Sequence, residues 1–169
     1  VKNKDSIKTA IDLTISEFSG INFLVNNAQE VPLGNLLQVS DDAFEAGWMS
    51  GPLATFHFMK QCHPFLKGGG KIINLASSSA LRADSEGYGA YAAVKEAIRA
   101  LSRTAAVEWG PDNILVNCIM PLAKSTGMEW WMNERPEEAA EFVKTIPLGR
   151  VGDCKDDIGE AVCHLLSEG

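Results

Sequence analysis

The chain has 169 residues, 46% hydrophobic and 22% charged, which is enough for one domain with a real core and ordinary for a globular protein. Its net charge of −7 argues against a nucleic-acid or anionic-membrane surface, since phosphate binding needs clustered Lys and Arg. No apolar run is long enough to span a bilayer, and the opening "VKNKDSIKTA" has charge without the apolar stretch of a signal peptide.

Asp5 or Ser6 is placed to cap a first helix, whose Ile7, Ala10, Ile11, Leu13 and Phe18 recur at helical spacing and which Gly20 ends. "INFLV", 21–25, is apolar without alternation, the pattern of a strand buried on both faces. After the loop "NNAQEVPLGNLLQVS", Asp41 or Asp42 starts a long helix to about Phe65. "GGG" at 68–70 turns into a second strand, "KIINLA", 71–76. A phosphate loop would lead into a helix N-terminus; this one leads into a strand and lacks a Ser or Thr after Lys71. The polar loop "SSSALRADSEG" precedes an alanine-rich helix, 88–108, that ends at "WGPDN". The third strand, "ILVNCI", 114–119, is closed by Pro121. "LAKSTGMEWWMNERPEE" reads as irregular and opens into a short helix near 136–144; a loop, "IPLGRVG", leads to a last helix over 156–167.

Alternating helices and strands mean parallel strands with crossover helices. The expected fold is α/β, a Rossmann-like doubly wound parallel sheet with three core strands, all buried on both faces, in a single domain over residues 1–169. Cys62, Cys118, Cys154 and Cys163 stand far apart without CxxC spacing, and read as buried or semi-buried free thiols of a cytoplasmic protein. His57, His63 and His164 add no metal-ligand spacing.

Ligands of open parallel sheets bind beyond the carboxyl ends of the strands. Asn26–Ala28 follow the first strand, Ser77–Ser79 the second, and Pro121 and Thr126 the third. In "YGAYAAVK", Tyr91 and Lys95 stand at i and i+4, so they share one helical face and reach the same small volume. An ammonium beside a phenol favours the phenolate, so the Tyr91 pKa is expected to fall towards neutrality. The structural alternative is a tyrosine and a snorkelling lysine on a half-exposed helix.

The pieces "INFLVNNA", "GGKIINLASSSA", "YGAYAAVK", "ILVNCIMP" and "IPLGRVGDCKDDIGEAVCHLLSEG" together resemble the short-chain dehydrogenase/reductase family, in its order and at its spacing. The resemblance implies that Tyr91 is the acid/base for the carbinol oxygen. Lys95 would lower the Tyr91 pKa and bind the nicotinamide ribose, and a serine would hold the substrate oxygen. "N-L-A-S" puts Ser77 in the serine's place, whereas counting thirteen residues back from Tyr91 gives Ser78; Ser77 is preferred because a strand end is positionally tighter. Asn26, Ala28, Tyr91, Lys95, Pro121 and Thr126 would contact the cofactor, NAD or NADP. Trp130 and Trp131 lie where the family keeps its substrate lid, and serve equally as aromatic cover over the core.

The departures are as informative. The family's "NNAG" ends here in Gln29, and its "PG" after the third strand is Pro121–Leu122. Its helix asparagine, which keeps a kink and anchors a water in a proton relay to the lysine, falls on Gly51. Gly51–Pro52 still allows a kink, because Pro52 has no N–H, but supplies no amide. Restoring the amide with Gly51→Asn is expected to raise the rate or shift its pH optimum unless the Pro52 ring blocks the rotamer. No GxGxxG or TGxxxGxG occurs, so the expectation is a fragment lacking the dinucleotide-binding half and the last strand, with a naturally truncated protein as the alternative. The implied function is NAD(P)-dependent interconversion of a small-molecule alcohol and carbonyl, by a homodimer or homotetramer when full length. A non-catalytic pseudoenzyme or oligomer-building subunit is the rival.

Overall fold

The computed structural model describes residues 1–83 and 86–167; Asp84 and Ser85 of the polar loop, and Glu168 and Gly169 at the end of "LLSEG", lie outside the described residues. The chain forms two compact units, one from Val1 to Met120 and one from Pro121 onward.

In the first unit, helix α1 (Lys4–Phe18) is capped by Asn3 rather than Asp5 or Ser6. The Asn3 side chain accepts the N–H groups of Asp5 and Ser6, each at 2.9 Å, and so meets two donors the first helical turn leaves open. The helix ends one residue before Gly20, because Ser19 takes the left-handed conformation with φ 63° and gives its N–H to the Ile15 carbonyl. Ile7 and Ile11, one turn apart, are buried against the sheet side of the unit.

Strands β1 (Phe23–Asn26), β2 (Lys71–Leu75) and β3 (Leu115–Ile119) form a parallel sheet in the order β1-β2-β3. The register aligns Leu24 with Ile72 and Ile72 with Val116, and these three join the core with Ile7, Met59, Leu66 and Ile114. The expectation that all three strands are buried on both faces is corrected here. Among the described strands only β2 has a strand on each side, and its Ile72 and Ile73, on opposite faces, are both fully buried. β1 and β3 are edges: Phe23 and Val25 are 50% and 43% exposed on the face away from Leu24, and Leu115 is 52% exposed.

The long helix expected from Asp41 or Asp42 is two helices joined by a wide turn. α2 (Asp41–Trp48) is capped by Ser40, a π-helical turn spans Met49–Leu53, and α3 is Ala54–Leu66. Pro52 lies inside the turn and has no N–H to offer the regular ladder, which accounts for the local change of pitch. Helix α4 (Gly89–Trp109) buries Ala90, Val94, Lys95, Ile98, Ser102 and Ala105 along one stripe, which packs on β2 and β3. The loop after β1 lies against the start of α4. Gly34 donates its N–H to the Gly87 carbonyl at 2.9 Å, both glycines have positive φ, and a Cβ on Gly87 would meet the Gly34 backbone at 3.2 Å.

In the second unit, the aromatic segment expected to be irregular is a helix, α5 (Thr126–Glu134), capped by the Ser125 hydroxyl. Apolar periodicity is weak across it, and the cap is what defines its start. Helix α6 runs Pro136–Lys144, as the sequence indicates. The last helix begins earlier than expected, as a π-helical turn (Cys154–Gly159) capped by Asp153, followed by α7 (Glu160–Leu166). Ala123 and Gly152 form a short parallel bridge. Cys62 is buried and Cys118 half-buried, but Cys154 and Cys163 are exposed, against the expectation of covered thiols, because neither the turn nor the helix that carries them has a buried residue. No described helix is long and apolar enough to cross a membrane.

Candidate active site

Tyr91 and Lys95 lie one turn apart on α4, as their spacing requires. The Lys95 ammonium sits 5.6 Å from the centre of the Tyr91 ring, over its face. Its Nζ donates to the Leu75 carbonyl, the last residue of β2, at 2.6 Å. That bond ties the helix to the strand end. Ser77 follows directly, in extended conformation at the start of a 3₁₀ turn (Ser78–Leu81), and its Oγ accepts the Ser79 N–H at 3.2 Å. Ser77 lies close enough to Tyr91 for its hydroxyl to favour the phenolate. Ser78 is exposed and Ser79 buried, and of the three serines it is Ser77 that influences the phenol.

The electrostatics correct one expectation. The Tyr91 pKa is raised from its ordinary value, not lowered: burial of the phenol outweighs the Ser77 hydroxyl, and neighbouring Tyr88 pushes the same way as burial. Lys95, 5.6 Å from the ring centre, is not among the groups that set the direction of the shift. Lys95 is itself only 5% exposed, and burial lowers its pKa to about 8. Tyr91 therefore rests as a protonated phenol beside an amine that titrates near neutrality.

Beneath this pair lies a buried polar relay that the motif reading missed. Asn74, fully buried in β2, donates to the Ser102 hydroxyl at 2.8 Å, and Ser102 donates to the Ile98 carbonyl at 2.7 Å. The Asn26 amide donates to Asn74 Oδ1 at 2.8 Å. Both amides and the hydroxyl are thus engaged, which is what permits them inside an apolar sheet. A lone asparagine inside "KIINLA" was the available signal.

The other predicted residues fall in two places. Asn26 and Ala28 end β1 and open the following loop, but the Asn26 side chain is committed to Asn74. Pro121 and Thr126 belong to the second unit, Thr126 at the start of α5 and exposed. Gly51 lies in the π-helical turn, and a Cβ there would stand 3.0 Å from Gln29 Cδ. The obstacle to Gly51→Asn is thus the Gln29 side chain, not the Pro52 ring alone. Two departures from the family pattern meet in space, a pairing that reading them separately did not reveal.

A family model described as enoyl-(acyl carrier protein) reductase matches residues 1–169. The chain is 42% identical over 168 residues to a 12alpha-hydroxysteroid dehydrogenase of a Clostridium species, covering 98% of this chain and 64% of that protein. It is 34% identical to dehydrogenase/reductase SDR family member 4 of Caenorhabditis elegans, covering 99% of this chain and 66% of that one. The crystal structure of NAD+-bound xylitol dehydrogenase matches with TM-score 0.87 at 25% identity, over 99% of this chain and 70% of the other. The chain spans just under two thirds of the length of the two curated relatives.

Proposed function

This chain belongs to the short-chain dehydrogenase/reductase family, and on that premise we propose that the protein carrying it interconverts an alcohol and a carbonyl with NAD or NADP through Tyr91, Lys95 and Ser77. The observation that carries the reading is that the Ser77 hydroxyl and the buried Lys95 ammonium both lie beside Tyr91. Two neighbouring hydroxyls suit a substrate oxygen. Ser77 holds that oxygen, and Tyr91, protonated at rest, gives its proton as a carbonyl becomes a carbinol, or takes it back in the reverse direction. The nicotinamide, when bound, supplies or accepts the hydride.

The residues fit such a cofactor unequally. An ammonium has three donors, and Lys95 spends one on the Leu75 carbonyl, which leaves N–H groups for ribose hydroxyls. Asn26 is engaged with Asn74, so it and Ala28 would offer backbone rather than side chain. Similarity to a hydroxysteroid dehydrogenase supports a secondary alcohol on a large apolar molecule as the substrate to try first, and exposed Trp130 suits an apolar ligand. The reading extends to one domain over residues 1–169, to a cytoplasmic setting and to a homodimer or homotetramer. Exposed Phe56 and Val107, on α3 and α4, suit pairing of these helices across a twofold axis.

The test is titration of the protein with NADH and NADPH by fluorescence, then turnover on a panel of hydroxysteroids and simpler secondary alcohols. Binding with turnover supports the dehydrogenase. Binding without turnover on any alcohol or carbonyl favours the non-catalytic reading, for which Gly51 is the specific motive.

A further inference from the structure

Gln29 carries a buried side-chain amide with no hydrogen-bond partner for either Nε2 or Oε1 among the described residues. A carboxamide offers two donors and an acceptor with two lone pairs, and leaving them unmet in the interior is costly. Buried polar groups of this kind are usually met by an ordered water. The amide is also firmly seated. The next residue, Glu30, donates its N–H to Ser50 Oγ at 2.9 Å, and the buried Ser50 hydroxyl donates to the Ala46 carbonyl at 2.6 Å. These bonds hold the loop against the π-helical turn. There an ideal Cβ on Gly51 would lie 3.0 Å from Gln29 Cδ and 3.2 Å from both Nε2 and Oε1. The carboxamide itself, rather than its stem, therefore fills the room a side chain at 51 would need. The same turn packs against α4, the helix of Tyr91 and Lys95.

We propose that Gln29 is a positioning residue of the Tyr91–Lys95 site, its carboxamide binding a buried water at the π-helical turn in place of an amide on residue 51. The inference rests on the dehydrogenase reading for its effect on rate, but not for the water. Residues 29 and 51 then form a coupled pair: glycine at 51 makes room for the amide that 29 delivers.

Two arms test this. In the first, water-to-amide NOEs are recorded on the Gln29 side-chain NH2 of the 15N-labelled wild-type protein. A long-lived water contact is expected, and its absence overturns the proposal whether or not the protein turns over. In the second, Gln29→Met keeps the length of the side chain and removes its polar atoms. It should lower kcat roughly tenfold or more, with cofactor KM within about twofold and Tm within about 3 °C. Gly51→Asn alone should lower Tm, because it meets Gln29. The exchange Gln29→Gly with Gly51→Asn should recover kcat to within about threefold of wild type, a rescue that a merely structural role does not predict. Full kcat in Gln29→Met, or a folded double variant without recovery, would overturn the proposal. A wild type without turnover defeats the dehydrogenase reading and leaves the NOE arm to decide this one.

Discussion

Between Val1 and Met120, Ile7, Leu66, Ile72, Ile73, Val94 and Ile114 are sealed from solvent; from Pro121 onward, Ala139 is the buried residue among those described. The first unit is held by a packed apolar core around a sheet. The second is held by helix caps, the Ala123–Gly152 bridge and surface ion pairs such as Arg150–Asp157, with Leu148 and Trp130 left 79% and 65% exposed. The difference separates two tasks. Tyr91, Lys95 and Ser77, the residues proposed for proton transfer, stand on the well-packed part, and such a geometry needs to be stiff. Pro121, Thr126 and Trp130, the candidates for cofactor and substrate contact, stand on the part with fewer buried contacts, which is where local opening is inexpensive.

The largest effect expected within this comparison is from Ile72→Ala. Deleting that fully buried side chain should cost about 2–5 kcal/mol in urea unfolding, while Val143→Ala in the half-buried α6 should cost under about 1 kcal/mol. Equal losses would erase the contrast between the units.

Lys95 gives a pH signature. Its pKa is about 8 folded against 10.5 ordinarily, so between these values the unfolded chain binds more protons and stability rises with pH. Below about pH 8 both states are charged and the folded state carries the full desolvation cost, at most about 3 kcal/mol. Lys95→Met should be the more stable form at pH 7 and should lose the rise between pH 8 and 10 that the wild type shows by chemical denaturation. Parallel curves for the two proteins would mean that Lys95 is not buried as described.

Asn74→Ala should cost about 2 kcal/mol at neutral pH, because it strands the Asn26 amide and removes a bond to Ser102. Asn26→Ala should cost less, since it removes one bond at the half-buried end of the relay. A reversed order would displace Asn74 from the centre of the network.

The smallest effect belongs to Arg150. Its guanidinium holds the Asp157 carboxyl well below the usual carboxylate range, and both groups are at the surface. Arg150→Gln should leave the global unfolding midpoint unchanged and lower hydrogen-exchange protection only around 150–157. The Asp157 contribution is present at neutral pH and fades as pH falls through its depressed folded pKa.

How much of this was legible in the sequence follows from the physics of each part. The three strands, their parallel order and the α4 face were readable because apolar runs mark strands, their alternation with helices sets direction, and an i,i+4 pair shares one helical face. α5 was missed because a lightly buried helix has little apolar period to read. Exposure of Phe23 and Val25 was missed because an apolar run indicates what a strand tolerates, not what covers it. The direction of the Tyr91 shift was missed because spacing brings an ammonium near a ring but does not say how deeply the phenol is buried. The Gln29–Gly51 contact joins residues that the chain separates by an entire loop and helix, so neither substitution hints at the other.

The central claim is that the Tyr91 hydroxyl is the proton-transfer group, and Tyr91→Phe tests it most directly, because the ring and its packing survive while the hydroxyl is lost. Turnover of the best substrate from the alcohol panel should be measured with NADH and NADPH, alongside cofactor affinity by fluorescence. The expected result is a loss of kcat of at least about 100-fold with cofactor affinity changed by less than about threefold. Turnover by Tyr91→Phe within about twofold of the wild type would contradict it.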